Sequence, residues 1–352
     1  MPRRQTESTL AGSAGKAALG LAAAAAAAYG VYIWGTPGGR RRPVTELRNA
    51  LGLRIHYTPW RGLHYAHYAR RGAGRPIVLL HSINAIASAH EMRPLVQHLK
   101  KETRRPIFVL EWLGFGHSDR PEISYTPELM EDQLEHFLTS VVKHPGGADV
   151  IGLSLGATYA AEVARRRRTL VHSLVAIEPA GLGRAPEELS EGWSRLLFTL
   201  PGVQRAFYDR LTTPEALQRF ARDHLFTPEF GVPRDYVEYG SETARMEGAS
   251  RPLDDFLNGR VFSDEARDAF LHMAQPVLIV HGSVESRRME SYLELPEVQS
   301  RPNVMVHSLP TGSFPHWERP EDVMEFIRHF YEQQNLASAP MSPGGGVHNG
   351  IE

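Results

Sequence analysis

The feature that most constrains this chain is a series of short, unbroken apolar runs. They are PIVLLHS (76–82), PIFVLEW (106–112), ADVIGLS (148–154), LVHSLVAIEPAG (170–181), PVLIVHG (276–282) and NVMVHSL (303–309). A run of this length without polar alternation suits a strand covered on both faces, the usual state of a parallel sheet. Between the first four runs lie the amphipathic stretch Ala87–Lys101 and the helical patterns Pro127–Val142 and Leu155–Arg168, with Pro127 suited to a first helical turn. LHYAHYARRG (64–73) alternates as a further strand. Repeated strand–helix units predict an α/β fold: a mostly parallel sheet with helices on both faces.

The rhythm breaks after the fourth run. Residues 182–273 hold only short helical patterns, split by Pro201, Pro214, Pro228, Pro233 and Pro252, and the strand pattern then resumes. This predicts one core formed by 60–181 and 274–334, interrupted by a helical cap or lid at 182–273. A last helix runs from Pro320 to Gln334. The tail 335–352, rich in Gly, Pro and Ser, is expected to be disordered.

The other end is unlike the rest. A polar segment, 1–16, precedes AALGLAAAAAAAYGVYIW (17–34), which carries no charge, and a linker, 35–59, follows. As a helix, 17–34 is roughly 27 Å long, just enough to span a bilayer core. Tyr29, Tyr32 and Trp34 gather at one end, with Arg40, Arg41 and Arg42 close behind, an arrangement suited to a membrane interface. The reading carried forward is a single N-terminal membrane anchor, with a cleaved signal peptide and a soluble alanine-rich helix as alternatives. The larger number of basic residues after the span favours a cytoplasmic globular domain.

Composition removes several classes of function. A formal net charge of -1 leaves no basic field for nucleic acid. The absence of cysteine excludes disulfides and thiolate chemistry. GFG (114–116) lacks the spacing of a dinucleotide loop, there is no phosphate-binding loop, and the histidines show no metal-ligand spacing. No cofactor and no metal are expected.

The sharpest local signal is GLSLG, Gly152–Gly156, at the join of an apolar run and a helix. A serine there sits on a tight turn, with its hydroxyl beside a helix N-terminus able to stabilise an oxyanion. With this elbow in view, residues 60–334 resemble the α/β-hydrolases. VLLHSIN (78–84) resembles their first oxyanion turn and EWLGFGHSDRP (111–121) their Asp-x-x-Gly-x-Gly-x-Ser turn. VLIVHGSVE (277–285) is similar to the strand that ends at the catalytic acid, and PTGSFPHWERP (310–320) to the histidine loop. The resemblance implies Ser154 as nucleophile, the N–H groups of Ile83 and Leu155 as oxyanion donors, and Glu285 as acid, with Glu178 as a second acid position.

Three departures stand out. Ser82 replaces the glycine of the oxyanion turn, and Glu111 replaces an aspartate. In the family the histidine lies five residues before the Glu of Glu-x-Pro; counting back from Glu318 reaches Ser313, and His316 lies three residues late. Pro320, which favours a first helical turn, pins that register. His316 remains the candidate base, ahead of His281, His81 and His272. The expectation is therefore a serine hydrolase acting on an ester-like or lipid-like acyl substrate. Its alternative is a catalytically impaired relative that binds an apolar small molecule or a protein.

Overall fold

The computed structural model describes residues 44–182, 203–283 and 296–338. The segments read as polar N-terminus and anchor, part of the linker and of the inserted region, and most of the tail lie outside the described residues. So does Glu285. Among the described residues no helix is long and apolar enough to cross a membrane.

The sheet has eight strands: β1 (Arg54–Trp60), β2 (Leu63–Arg70), β3 (Ile77–Leu80), β4 (Ile107–Leu110), β5 (Ala148–Leu153), β6 (Val171–Ile177), β7 (Val277–Gly282) and β8 (Val304–Leu309). Their order is β1-β2-β4-β3-β5-β6-β7-β8. Strand β2 runs antiparallel to β1 and β4, and every pair from β4 to β8 is parallel. The sheet starts earlier than expected, because Arg54–Pro59, read as linker, belongs to β1. An edge strand needs no continuous apolar run, and RIHYTPW has no fully buried residue.

The helices are α1 (Arg93–Glu102), α2 (Pro127–Phe137), α3 (Leu155–Arg166), α4 (Val203–Leu211), α5 (Pro214–His224), α6 (Arg234–Thr243), α7 (Arg251–Leu257), α8 (Ala266–His272), α9 (Pro296–Gln299), α10 (Pro315–Glu318) and α11 (Pro320–Ser338). A 3₁₀ turn, Ala89–Met92, precedes α1, and a π turn, Leu138–Val142, ends the α2 segment that was read as one helix. Helix α2 starts where Thr126 accepts the Leu129 N–H and Pro127 fills the first turn. Helix α11 runs through Asn335–Ser338, residues assigned to the tail.

Alternation along the strands divides the core between two faces. Ile77, Leu79, Ile151, Leu153, Val175, Leu278 and Val280 face the apolar residues of α1 and α11. Val78, Leu80, Val150, Leu174, Val277 and Ile279 face α2, α3 and α8. Both faces are thus buried, which is why the inner strands show no polar alternation. Between β6 and β7 the described residues are helical. They pack on loops leaving the carboxyl ends of the strands: Tyr208 donates to the Ala85 carbonyl, Tyr125 N–H to Asp255, and Thr227 N–H to Glu318.

Candidate functional site

The join of β5 and α3 concentrates backbone strain at one residue. Ser154 has φ 53° and ψ −124°, a conformation costly for a residue with a Cβ. It is over-determined by its neighbours: its N–H donates to the Ile177 carbonyl at 2.9 Å, and its carbonyl accepts from Ala157 and Thr158. The flanking glycines are required by close approach. A Cβ on Gly152 would lie 2.5 Å from Ala157 Cα, and one on Gly156 would lie 2.5 Å from the His81 carbonyl oxygen. The absence of side chains there lets α3 start against the end of β3. The turn that follows β3, with Ser82, Ile83 and Asn84, is thereby brought beside the elbow. Among the described residues no acceptor is found for the N–H of Leu155 or of Ile83.

His81 anchors that turn. Its Nε2 accepts the Trp112 N–H at 3.2 Å, which leaves the proton on Nδ1, 2.7 Å from the Ser82 carbonyl. Burial drives its pKa down to about 3, so the ring is neutral and both nitrogens are occupied. Ser82, in the place of a glycine, donates its hydroxyl to a buried carboxylate, Glu91, at 3.0 Å. Glu111, in the place of an aspartate, accepts the Ala89 and His117 N–H groups. Its extra methylene carries the carboxylate over Gly116, where a Cβ would fall 1.0 Å from Oε2. Burial pushes Glu111 up to about 7.

Glu178, the second acid position, follows β6 with φ 45°. Its N–H donates to Val280, and its carboxylate accepts the Gly282 N–H at the end of β7.

The histidine loop departs most from the expected site. Pro320 opens α11, as the register argument required. Glu318 holds the loop by accepting from the Gly312 N–H at 2.9 Å and from Thr227. Ser313, at the expected base position, is partly exposed and donates to the His224 carbonyl at 3.3 Å. His316 is fully buried, with Nε2 donating to the Glu91 carbonyl at 3.0 Å. That carbonyl also accepts from Trp317 Nε1 at 2.8 Å. Among the described residues His316 Nδ1 has no partner, and burial lowers the ring's pKa to about 4. His281 lies at the end of β7 with Nδ1 3.4 Å from the Gly282 carbonyl, whereas His272 is exposed and pairs with Asp268. All histidines except His348 are among the described residues, and none of them is hydrogen-bonded to Ser154. The structure therefore brings Ser154, Ile83, Leu155 and Glu178 to one edge of the sheet. It joins His316 to Glu91 instead.

Residues 77–326 match the sequence model of the Alpha/beta hydrolase family. The chain belongs to that family. Among curated relatives, the 2-hydroxy-6-oxo-6-(2'-aminophenyl)hexa-2,4-dienoic acid hydrolase of Metapseudomonas resinovorans is 28% identical over 116 residues, 33% of this chain and 39% of that enzyme. The 2-(acetamidomethylene)succinate hydrolase of Mesorhizobium japonicum is 24% identical over 270 residues, 74% of this chain and 90% of that enzyme. The fold is similar to that of a crystallised serine hydrolase involved in carbazole degradation. There the TM-score is 0.62 and the identity 17%, covering 80% of this chain and 100% of the other.

Proposed function

We propose that this α/β-hydrolase uses the Ser154 elbow to bind an apolar, carbonyl-bearing small molecule, and that a serine–histidine triad does not drive its turnover. The observation that carries this reading is the bond from His316 Nε2 to the Glu91 carbonyl. A general base must lie within hydrogen-bond reach of the proton it removes. His316 is bonded elsewhere, and its burial leaves it a weak base. Loss of the base from such a triad costs up to about a million-fold in turnover, leaving roughly 10³–10⁴ over water from the oxyanion donors and binding.

One observation favours hydrolysis as a second reading. His316 Nδ1 is buried with no partner among the described residues, so its lone pair is available for a proton while Nε2 stays on the Glu91 carbonyl. Two of the curated relatives are named as hydrolases, and in this reading Ser154 attacks an ester or amide carbonyl.

The test is turnover of p-nitrophenyl esters of increasing acyl length by the full chain, beside Ser154→Ala, with melting temperature as the measure of binding. Binding of ester raises the melting temperature by mass action. The expected result is a raised melting temperature without Ser154-dependent turnover. Turnover in the ordinary enzymatic range of about 1–10³ s⁻¹, lost in Ser154→Ala, supports the second reading.

The membrane anchor at 17–34 and the role of 182–273 as a lid belong to the same proposal. Val44 donates its N–H to the Arg245 carbonyl just after α6, so a chain leaving a bilayer would meet the domain on the inserted helices. Deletion of 1–43 is expected to move the protein from membranes to the soluble fraction; retention on membranes refutes the anchor.

A further inference from the structure

Glu91 is an unusual residue to bury. It is 2% exposed, and among the described residues no Lys, Arg or His lies within ion-pair distance of its carboxylate. A buried carboxylate without a cation is costly unless several donors compensate it. Here all its donors come from one tight turn. Glu91 Oε2 accepts the Ser82 N–H at 2.9 Å, while Oε1 accepts the Ser82 hydroxyl at 3.0 Å and Asn84 Nδ2 at 2.8 Å. Asn84 Nδ2 also donates to Ser82 Oγ, and Asn84 Oδ1 accepts the Ile86 N–H. The two residues on either side of Ile83 are thus tied to one carboxylate. Ile83 itself is buried, and among the described residues its N–H has no acceptor.

We propose that Glu91 is a positioning residue: its carboxylate holds Ser82 and Asn84 so that the Ile83 N–H between them faces an oxygen bound at Ser154. Ser82 then has a purpose that a glycine could not serve, since its hydroxyl is one of the three donors the clamp uses. The main-chain carbonyl of Glu91 accepts from His316 and Trp317, so Glu91 both shapes the anion hole and holds the histidine loop. The inference rests on the reading of Ser154 as the ligand-binding serine.

The test is modification of Ser154 in the full chain by an alkyl fluorophosphonate, whose phosphoryl oxygen enters the anion hole. The maximal inactivation rate and the reversible binding constant are measured separately. Loss of one oxyanion donor costs roughly 10²–10³ in rate when the donor is removed outright. Glu91→Ala, which only releases the donor, is expected to lower the inactivation rate about 10–100-fold with reversible binding changed less than about threefold. Glu91→Gln keeps one acceptor oxygen for the Ser82 N–H and is expected to restore most of the rate, which a purely space-filling role would not require. An unchanged inactivation rate in both variants overturns the clamp. Equal losses in rate and reversible binding also overturn it, since that pattern is general disruption of the pocket. Failure of the wild type to react, together with no rise in melting temperature on adding ester, overturns the reading of Ser154. The clamp is then decided by amide hydrogen exchange of residues 81–86: faster in Glu91→Ala and near wild type in Glu91→Gln supports it, and unchanged exchange refutes it.

Discussion

The strain at Ser154 has a thermodynamic consequence that separates backbone from side chain. A non-glycine residue in a sparsely populated conformation costs about 1–3 kcal/mol. Replacement by glycine removes most of that cost but adds about 0.5–1 kcal/mol of unfolded-state entropy. Ser154→Gly is therefore expected to stabilise the folded protein by about 0.5–2 kcal/mol. Ser154→Ala is the control, because it keeps the Cβ and hence the strain. Its lost hydroxyl has no hydrogen-bond partner among the described residues, so its effect should stay within about 0.5 kcal/mol. At about 2–4 °C per kcal/mol for a large domain, Ser154→Gly should melt about 1–8 °C above Ser154→Ala. Urea titration of both variants gives the difference directly. A glycine variant no more stable than the alanine variant would refute the assignment of stored strain to this elbow.

Other perturbations test the rest of the site. Gly156→Ala places a Cβ 2.5 Å from the His81 carbonyl oxygen, a backbone atom, and should cost about 1–3 kcal/mol in a denaturation experiment. His316→Ala should cost about 2–4 kcal/mol in the same assay, from a cavity and a lost hydrogen bond. Glu111, pushed up to about 7 from 4.5, holds a proton in the native state that the unfolded chain releases. Its contribution to stability is present at low pH, declines between about pH 4.5 and 7, and amounts to about 3 kcal/mol over that window. The stability of wild type relative to Glu111→Gln should therefore fall as pH rises through that range, and parallel pH profiles would contradict it. His81 and His316, with depressed pKa values, act in the opposite sense: their stability is present above about pH 6.5 and is lost as pH falls toward about 3 for His81 and about 4 for His316. Both variants share that loss, so it cancels in the comparison.

Much of the fold was legible because burial on both faces leaves an unbroken apolar run, as in Ile77–Leu80 and the first four residues of β7, Val277 to Val280. Strand β1 was not, since an edge strand such as RIHYTPW keeps polar residues and resembles a linker. The elbow was legible from its two glycines, whose lack of a side chain the close approach of α3 to β3 requires. Glu91 was invisible for the opposite reason. A glutamate in an amphipathic stretch reads as solvated, and only the folded chain puts Ser82 and Asn84 against it. The Glu-x-Pro register correctly placed the start of α11 at Pro320. It marked Ser313 as the position to question, but the bond between His316 and Glu91 depends on how two distant loops meet.

In the proposed site no histidine serves Ser154. Fluorophosphonate labelling of the full chain, in wild type, His316→Ala and Ser313→His, tests it most directly. Slow wild-type labelling is predicted, changed less than about threefold by His316→Ala and accelerated at least about 100-fold by Ser313→His. Prompt wild-type labelling of Ser154 that His316→Ala abolishes would contradict the account and establish His316 as the base.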